Sequence, residues 1–388
     1  MRTTWQLARD AGALWLGHLR EMVIWACLGY AGNLLGQHLS TQLAANRLAA
    51  TLAFIAGILW WLACTVLMVH SLEPGLPGVN RSDNPDLKAS QTRVQVLSSG
   101  LGPFVAVFSL WGLVEDQYRK LFEANLSTFG LRAELYSVNL SDWGFFLALA
   151  VGAWLAQTLL RRSGRPAVRL LQVLAEGVFV FASFAALFAV VRLLLGWLTG
   201  RVGWQWLLVA RAAALDWLPD AVRNWFEKAL DLVPAVVATA LLPLLWVSLT
   251  GVVFGWRQFG ARRLGEGTRA EALLTQLGER RIGPVTRLGL LATADLREKY
   301  LPVAHVLRLV AGCGVTFVSS LIALSALLTL GLAWVEQAIV ALIGPRTLAE
   351  TLAYRPTLGL LVAILGTLPV ALYATAFDRG LEARSVTA

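Results

Sequence analysis

Apolar runs of roughly twenty residues recur along this chain, and a helix of that length spans the ~30 Å hydrocarbon core of a bilayer at 1.5 Å per residue. Short segments rich in arginine separate the runs. A soluble domain carries about 25% charged residues; here 15% are charged and 57% hydrophobic, with a mean hydropathy of +0.63. The missing charge is missing in blocks, so the pattern specifies an all-α fold: a polytopic helical integral membrane protein, with residues 1–388 forming one helical membrane domain.

The formal charge of +9 raises the question of nucleic acid. The distribution argues against it, because the arginines gather beside apolar runs and no aromatic-interleaved basic stripe occurs. Cys27, Cys64 and Cys313 all lie inside apolar stretches without pairing or metal-ligand spacing, and read as small packing residues. Asp10, His18, Arg20 and Glu21 precede the first apolar run, an order unlike a cleavable export signal.

The pattern predicts an amphipathic leading helix over 4–19, with Trp5, Leu7, Leu16 and Leu19 interleaved with Arg9, Asp10 and His18. Spans are expected over 22–39, 47–69, 94–114, 143–160, 170–198, 234–256, 304–332 and 357–377. Two are weak. The first carries Asn33, Gln37 and His38, and 94–114 carries Gly100, Gly102 and Pro103, as a broken span or re-entrant segment would. Residues 71–93 read as a polar linker and 115–142 as a polar, partly amphipathic connection. Residues 201–231 hold Trp204, Trp206, Trp217 and Trp225 among balanced charges, which suggests interfacial amphipathic helices. Residues 257–302 read as a basic cytoplasmic helical connector with nine basic and five acidic residues.

Arg161, Arg162, Arg165 and Arg169 give the strongest local topology signal, four arginines in nine residues with no acid among them. Counting both weak stretches gives about eight transmembrane helices with both termini cytoplasmic, in a plasma (inner) membrane. That arrangement puts 21 Lys and Arg residues inside and 10 outside. Leaving 94–114 uncrossed gives seven spans and an external amino terminus.

Gly29, Gly32, Asn33, Gly36 and Gln37 share a region of one helix. Small residues let backbones approach and amides bond across helices, so these positions read as a helix-packing site or as part of a polar route. Glu176 and Arg192 lie in an apolar span, where ionisable side chains are costly and often functional. They stand sixteen residues apart, about 24 Å along a helix, and cannot pair within it. Arg257, Arg262, Arg263, Lys299, His305 and Arg308 could contact lipid headgroups. Asn125 and Asn139 each begin an Asn-Leu-Ser glycosylation pattern.

His18, His38, His70 and His305 are scattered, and no HExxH, phosphate-loop or GxSxG motif occurs, so no metal or cofactor and no catalytic residue is expected. The reading is a membrane-embedded assembly or scaffold subunit, in contact with membrane lipids and a hetero-oligomeric membrane partner. The aromatic segment and the basic connector would be its docking surfaces. A transporter or lipid carrier is the alternative, with Asn33, Gln37, Glu176 and Arg192 lining a route; an intramembrane lipid-modifying enzyme comes third.

Overall fold

The computed structural model describes residues 2–81, 93–110, 113–130, 132, 138–160, 166–217, 219–254, 306, 308–310, 312–344 and 348–387. The described residues are helical with turns and contain no strand. Among the described residues five helical stretches are long and apolar enough to cross a bilayer, Arg47–Gly75, Trp143–Leu160, Leu170–Thr199, Val315–Ile343 and Tyr354–Ala383, as befits an integral membrane protein.

The chain opens with α1 (Arg2–Gly17), which buries Leu7, Ala11 and Leu14 at helical spacing and exposes Trp5 and Leu16. An antiparallel hairpin follows, α2 (Leu19–Gln42) and α3 (Arg47–Ser71), and the Asn46 side chain caps α3 by accepting the Ala49 N–H at 3.1 Å. The two helices cross at Gly36 and Gly57, where a Cβ added to Gly36 would lie 2.5 Å from the Gly57 Cα. Only paired glycines permit backbones to come this close. A 3₁₀ turn (Glu73–Gly75) and the short α4 (Pro77–Arg81) begin the 71–93 linker, and the Asp378 carboxylate accepts the Val79 N–H at 2.9 Å.

Within the segment expected over 94–114, one helix, α5 (Arg93–Leu110), is continuous through Pro103 and antiparallel to α3, with Gly100 against Val66 and the Phe108 ring 5.4 Å from Trp61, while Leu113 and Val114 already belong to the next helix. That helix, α6 (Leu113–Phe129), departs by 77°. A second antiparallel hairpin joins α7 (Trp143–Leu160) to α8 (Pro166–Thr199), with Phe146 and Ala150 packed in one cluster with Phe181, Ala182 and Ala186. Asp142 caps α7 through the Phe145 N–H at 3.0 Å and pairs with Arg47 at 2.8 Å, so α3 and α7 start at one level.

The aromatic segment gives α9 (Val202–Asp216), and then α10 (Asp220–Val253) runs unbroken through Pro234 and Pro243 rather than starting a new helix at 234. The expected 304–332 span also shifts. Its helix, α11, covers Val315–Ile343, because Gly314 stands at φ +92° and ends any helix arriving from the amino-terminal side. The last run is divided at Gly366 into α12 (Leu348–Leu365) and α13 (Thr367–Thr387).

Aromatic contacts tie α5, α10 and α13 together: Phe104 lies edge-on to Trp246 at 5.7 Å, and Trp246 stacks on Tyr373 at 6.2 Å. Tyr373 Oη in turn lies 2.9 Å from Ser325 Oγ of α11. Helix α1 is fastened to the carboxyl-terminal part by three polar contacts. Trp15 Nε1 donates to Thr367 Oγ1 at 2.7 Å, Thr4 Oγ1 lies 2.8 Å from Ser320 Oγ, and Asp10 pairs with Arg379. The expected connector over 257–302 falls outside the described residues.

Candidate functional site

Helix α6 carries two polar stripes at helical spacing. Gln117, Leu121 and Asn125 fall at i, i+4 and i+8 and are buried, while Asp116, Lys120 and Glu123 fall at i, i+4 and i+7 on another face. Helix α2 presents a stripe of the first kind: Asn33, Gln37 and Thr41 at i, i+4 and i+8, all buried.

The two buried stripes meet. Asn33 Nδ2 and Gln37 Nε2 both donate to Gln117 Oε1, at 2.8 and 3.2 Å, and Thr41 Oγ1 donates to Asn125 Oδ1 at 2.8 Å. Each bond satisfies an amide or hydroxyl that hydrocarbon surroundings would leave without a partner, which is costly in a low-dielectric setting. The ladder is not complete. Asn33 Oδ1 is buried and accepts no hydrogen bond among the described residues. Asn125, the first glycosylation pattern, is 1% exposed and sits inside this seam.

The charged face of α6 turns toward α11 and α12. Glu123 forms an ion pair with Arg355; burial most of all, and Arg355 by repulsion, disfavour the Lys120 ammonium, while Asp116 and Glu336 attract it. Five charges from three helices therefore converge, three carboxylates and two cations. Tyr30 Oη donates to the Pro356 carbonyl at 2.8 Å and anchors α12 to α2 beside this group.

The expected residues occupy separate places. Gly29, Gly32 and Gly36 all face α3: Cys64 and Trp61 abut Gly29, the Trp60 indole lies over Gly32, and Gly36 meets Gly57. Asn33 and Gln37 belong to the amide seam. Glu176 belongs to a junction of α5, α7 and α8, where the buried Gln157 Nε2 donates to its Oε2 at 3.3 Å and its Oε1 faces the Gly102 backbone. Arg192 is exposed on α8. Asn33 and Gln37 thus stand in the seam of α2 and α6, Glu176 at the junction of α5, α7 and α8, and Arg192 on the exposed part of α8. Of the expected headgroup contacts, Arg308 is an exposed helical residue; Arg257, Arg262, Arg263, Lys299 and His305 lie outside the described residues. Among the described residues no three His, Cys, Asp or Glu side chains converge as metal ligands.

Because 115–142 reads as a connection, Gln117, Lys120 and Glu123, with Glu336 and Arg355, are not among the sequence candidates, and Asn125 is read only as a glycosylation pattern. The available signal was the amide spacing of 117 and 125, which matches that of 33 and 41.

Two carboxyls outside the apolar spans have shifted acidities. The Phe145 N–H and the Arg47 guanidinium hold Asp142 below the usual carboxylate range. At Asp10, burial pushes the carboxyl up, but hydrogen bonds from Arg379 and Arg9 outweigh it and hold the group low.

Comparison with protein-family models, curated proteins and solved structures yields no match, so the chain's own residues carry the functional reading.

Proposed function

We propose that this chain is a membrane-embedded assembly subunit that crosses the bilayer eight times with both termini on the cytoplasmic side. The crossings are α2, α3, α5 with α6, α7, α8, α10, α11, and α12 with α13. Several contacts support this count. Gln117 and Asn125 follow α2 in the order of Asn33, Gln37 and Thr41, so α6 continues toward the Arg47 level that α5 leaves unreached. Gly251 of α10 lies against Phe377 of α13, so the end of α10 and the end of the chain share the opposite level. That level also receives the end of α7 and the start of α8, and the sequence places Arg161, Arg162, Arg165 and Arg169 between Leu160 and Leu170, as the positive-inside bias requires.

The observation that carries the assembly reading is an apolar arm. Gln157 opposite Glu176 sets the register of α7 and α8 and places Trp143 opposite residue 190. Helix α8 continues from there to Thr199, about 14 Å farther at 1.5 Å per residue. From Val191 to Ala213 every residue but Trp204 is exposed, including Leu193, Leu194, Leu195, Trp197, Trp206 and Val209. Arg192, Arg201, Gln205 and Arg211 interrupt this surface, but its Leu, Val and Trp side chains form a contiguous apolar area that calls for an apolar surrounding. Among the described residues nothing packs around it, and the apolar helices of a partner subunit would supply the missing faces.

A transporter or lipid carrier is the second reading, favoured by the polar half-helix α6 inside the bundle, since broken helices near mid-membrane form many transport sites. The closed packing of Asn33, Gln37 and Gln117 weighs toward the first.

Affinity purification from native membranes, with quantitative mass spectrometry and a particle-size measurement, tests the proposal. The full chain is expected to recover a stoichiometric membrane partner that Leu194→Gln combined with Trp206→Gln loses at unchanged abundance. Recovery of the full chain alone, as monomer or homo-oligomer, would rule out an obligate hetero-complex.

A further inference from the structure

The depth of the α6 charges is fixed by the amide seam. Gly36 meets Gly57, ten residues into α3 from Arg47, which is about 15 Å and half of a ~30 Å hydrocarbon core. Asn33 and Gln37 flank that crossing and hold Gln117 beside it, while Thr41 holds Asn125 nearer the Arg47 level. Lys120, between Gln117 and Asn125, therefore stands roughly 12 Å below Arg47. The other two helices agree: Glu336 lies eight residues before Gly344, and Arg355 seven residues after the start of α12, roughly 10–12 Å from their shared turn.

Charges at that depth would normally be buried. Here Asp116 is exposed, the Lys120 residue is exposed although neighbouring groups partly bury its ammonium, and the Arg355 side chain retains 53% of its accessible surface and Glu123 33%. Lipid tails cannot solvate them, and ionisable side chains inside a membrane face either the bundle or water. The neighbouring lipid-facing surface is of another kind: α7 exposes Leu147, Val151, Trp154, Leu155 and Leu159 with no charge among them. The charged face is also too varied in sign to repel a solvent. Its two cations are each offset by a carboxylate from another helix or turn, and one carboxylate is left in excess.

We propose that the charged faces of α6, α11 and α12 line a water-filled cleft that opens at the Arg47 level and reaches near the middle of the bilayer. The cleft gives α6 the aqueous surface its charges need, while its amide face seals against α2. This inference rests on the eight-crossing arrangement proposed above but not on the assembly role.

Cysteine accessibility in sealed vesicles tests it. In a background with Cys27, Cys64 and Cys313 replaced by alanine, Asp116→Cys and Lys120→Cys are treated from the Arg47 side with membrane-impermeant methanethiosulfonates, which react with the thiolate and so require water at the sulfur. Leu43→Cys, in the exposed turn after α2, is the wet reference, and Leu147→Cys the lipid-facing one. The cleft predicts labelling at both positions within about tenfold of the Leu43→Cys rate, with Leu147→Cys unlabelled. At Lys120→Cys, where the substitution deepens the carboxylate excess, the cationic reagent should react several-fold faster than the anionic one. Silence at both positions while Leu43→Cys reacts would overturn the cleft. So would labelling that appears only after detergent extraction, which would show lipid or a partner subunit covering the face. If Leu43→Cys itself reacts only from the other side, the orientation fails instead, and repeating the labelling from that side decides the cleft.

Discussion

Gly36 has no room for a methyl group, because its missing Cβ would sit 2.5 Å from the Gly57 Cα and 2.9 Å from the Ala53 carbonyl. Backbone cannot step aside as a flexible side chain can. Gly36→Ala should therefore push α2 from α3 and cost about 1–3 kcal/mol, read as a lower melting temperature of the detergent-purified protein. Gly12→Ala is the opposite case, since nothing lies within 4 Å of its Cβ position, and alanine should stabilise the α1 interior by about 0.5–1 kcal/mol. In the amide seam, Gln117→Leu removes the acceptor shared by Asn33 and Gln37. The loss should be about 1–2 kcal/mol, between the cost of a stranded buried donor and the smaller values typical of membrane interiors. Adding Asn33→Leu and Gln37→Leu should return most of it in a mutant cycle, whereas strict additivity would show that the three amides do not act together. At the surface, Asp142 is held below the usual range by the Phe145 N–H and Arg47. A carboxyl whose folded-state pKa is depressed contributes stability above its unfolded pKa, and that stability is lost as pH falls through the folded one. The melting difference between the wild type and Asp142→Ala should hold steady across neutral pH and shrink below about pH 4. A difference that grew on acidification would contradict the assignment. Residue chemistry of this kind was half legible in the sequence: the Gly29, Gly32 and Gly36 surface is visible as a run of small residues, but the partners Gly57 and Gln117 are not, because only folding brings them near.

Helices were read more reliably than their ends. The runs at 47–69, 143–160 and 170–198 are strongly apolar, with Glu176 and Arg192 the charges inside the last, and each falls within a single helix. The run at 304–332 looked equally apolar, yet α11 begins at Val315, because hydropathy carries no information about the φ of +92° at Gly314. Alanine there would be forced into backbone space that is almost exclusive to glycine. Gly314→Ala should destabilise by about 1–3 kcal/mol in the same melting assay, and an unchanged midpoint would mean that α11 starts elsewhere. Helix α6 shows the converse difficulty. Its charges made 115–142 look extramembrane, and averaging over a window hides the fact that one face is polar only through amides that α2 can satisfy. Periodicity in polar type, rather than mean polarity, was the informative quantity.

At the scale of the molecule, the contacts divide the chain into a packed body and an arm. In the body, α3 is the most buried element, bordered by α2, α5 and α8, and the amino-terminal helix is fastened to the carboxyl-terminal one. The arm uses apolar surface that the body does not touch among the described residues, and its Trp-rich composition is visible in the sequence although its origin as an extension of α8 continued by α9 is not. Both the arm and the cleft acquire their meaning from which end of the bundle faces the cytoplasm. Side-specific labelling of single cysteines decides this most directly, with substitutions at Ser163 in the arginine turn, at Ser141 before α7, at Gly200 before α9 and at Gly344 after α11. Eight crossings predict that Ser163→Cys reacts only from the cytoplasmic face, together with tags on both termini, and that the other three react only from the opposite face. Ser163→Cys reacting from the same face as Ser141→Cys, or the two termini emerging on opposite faces, would contradict the account.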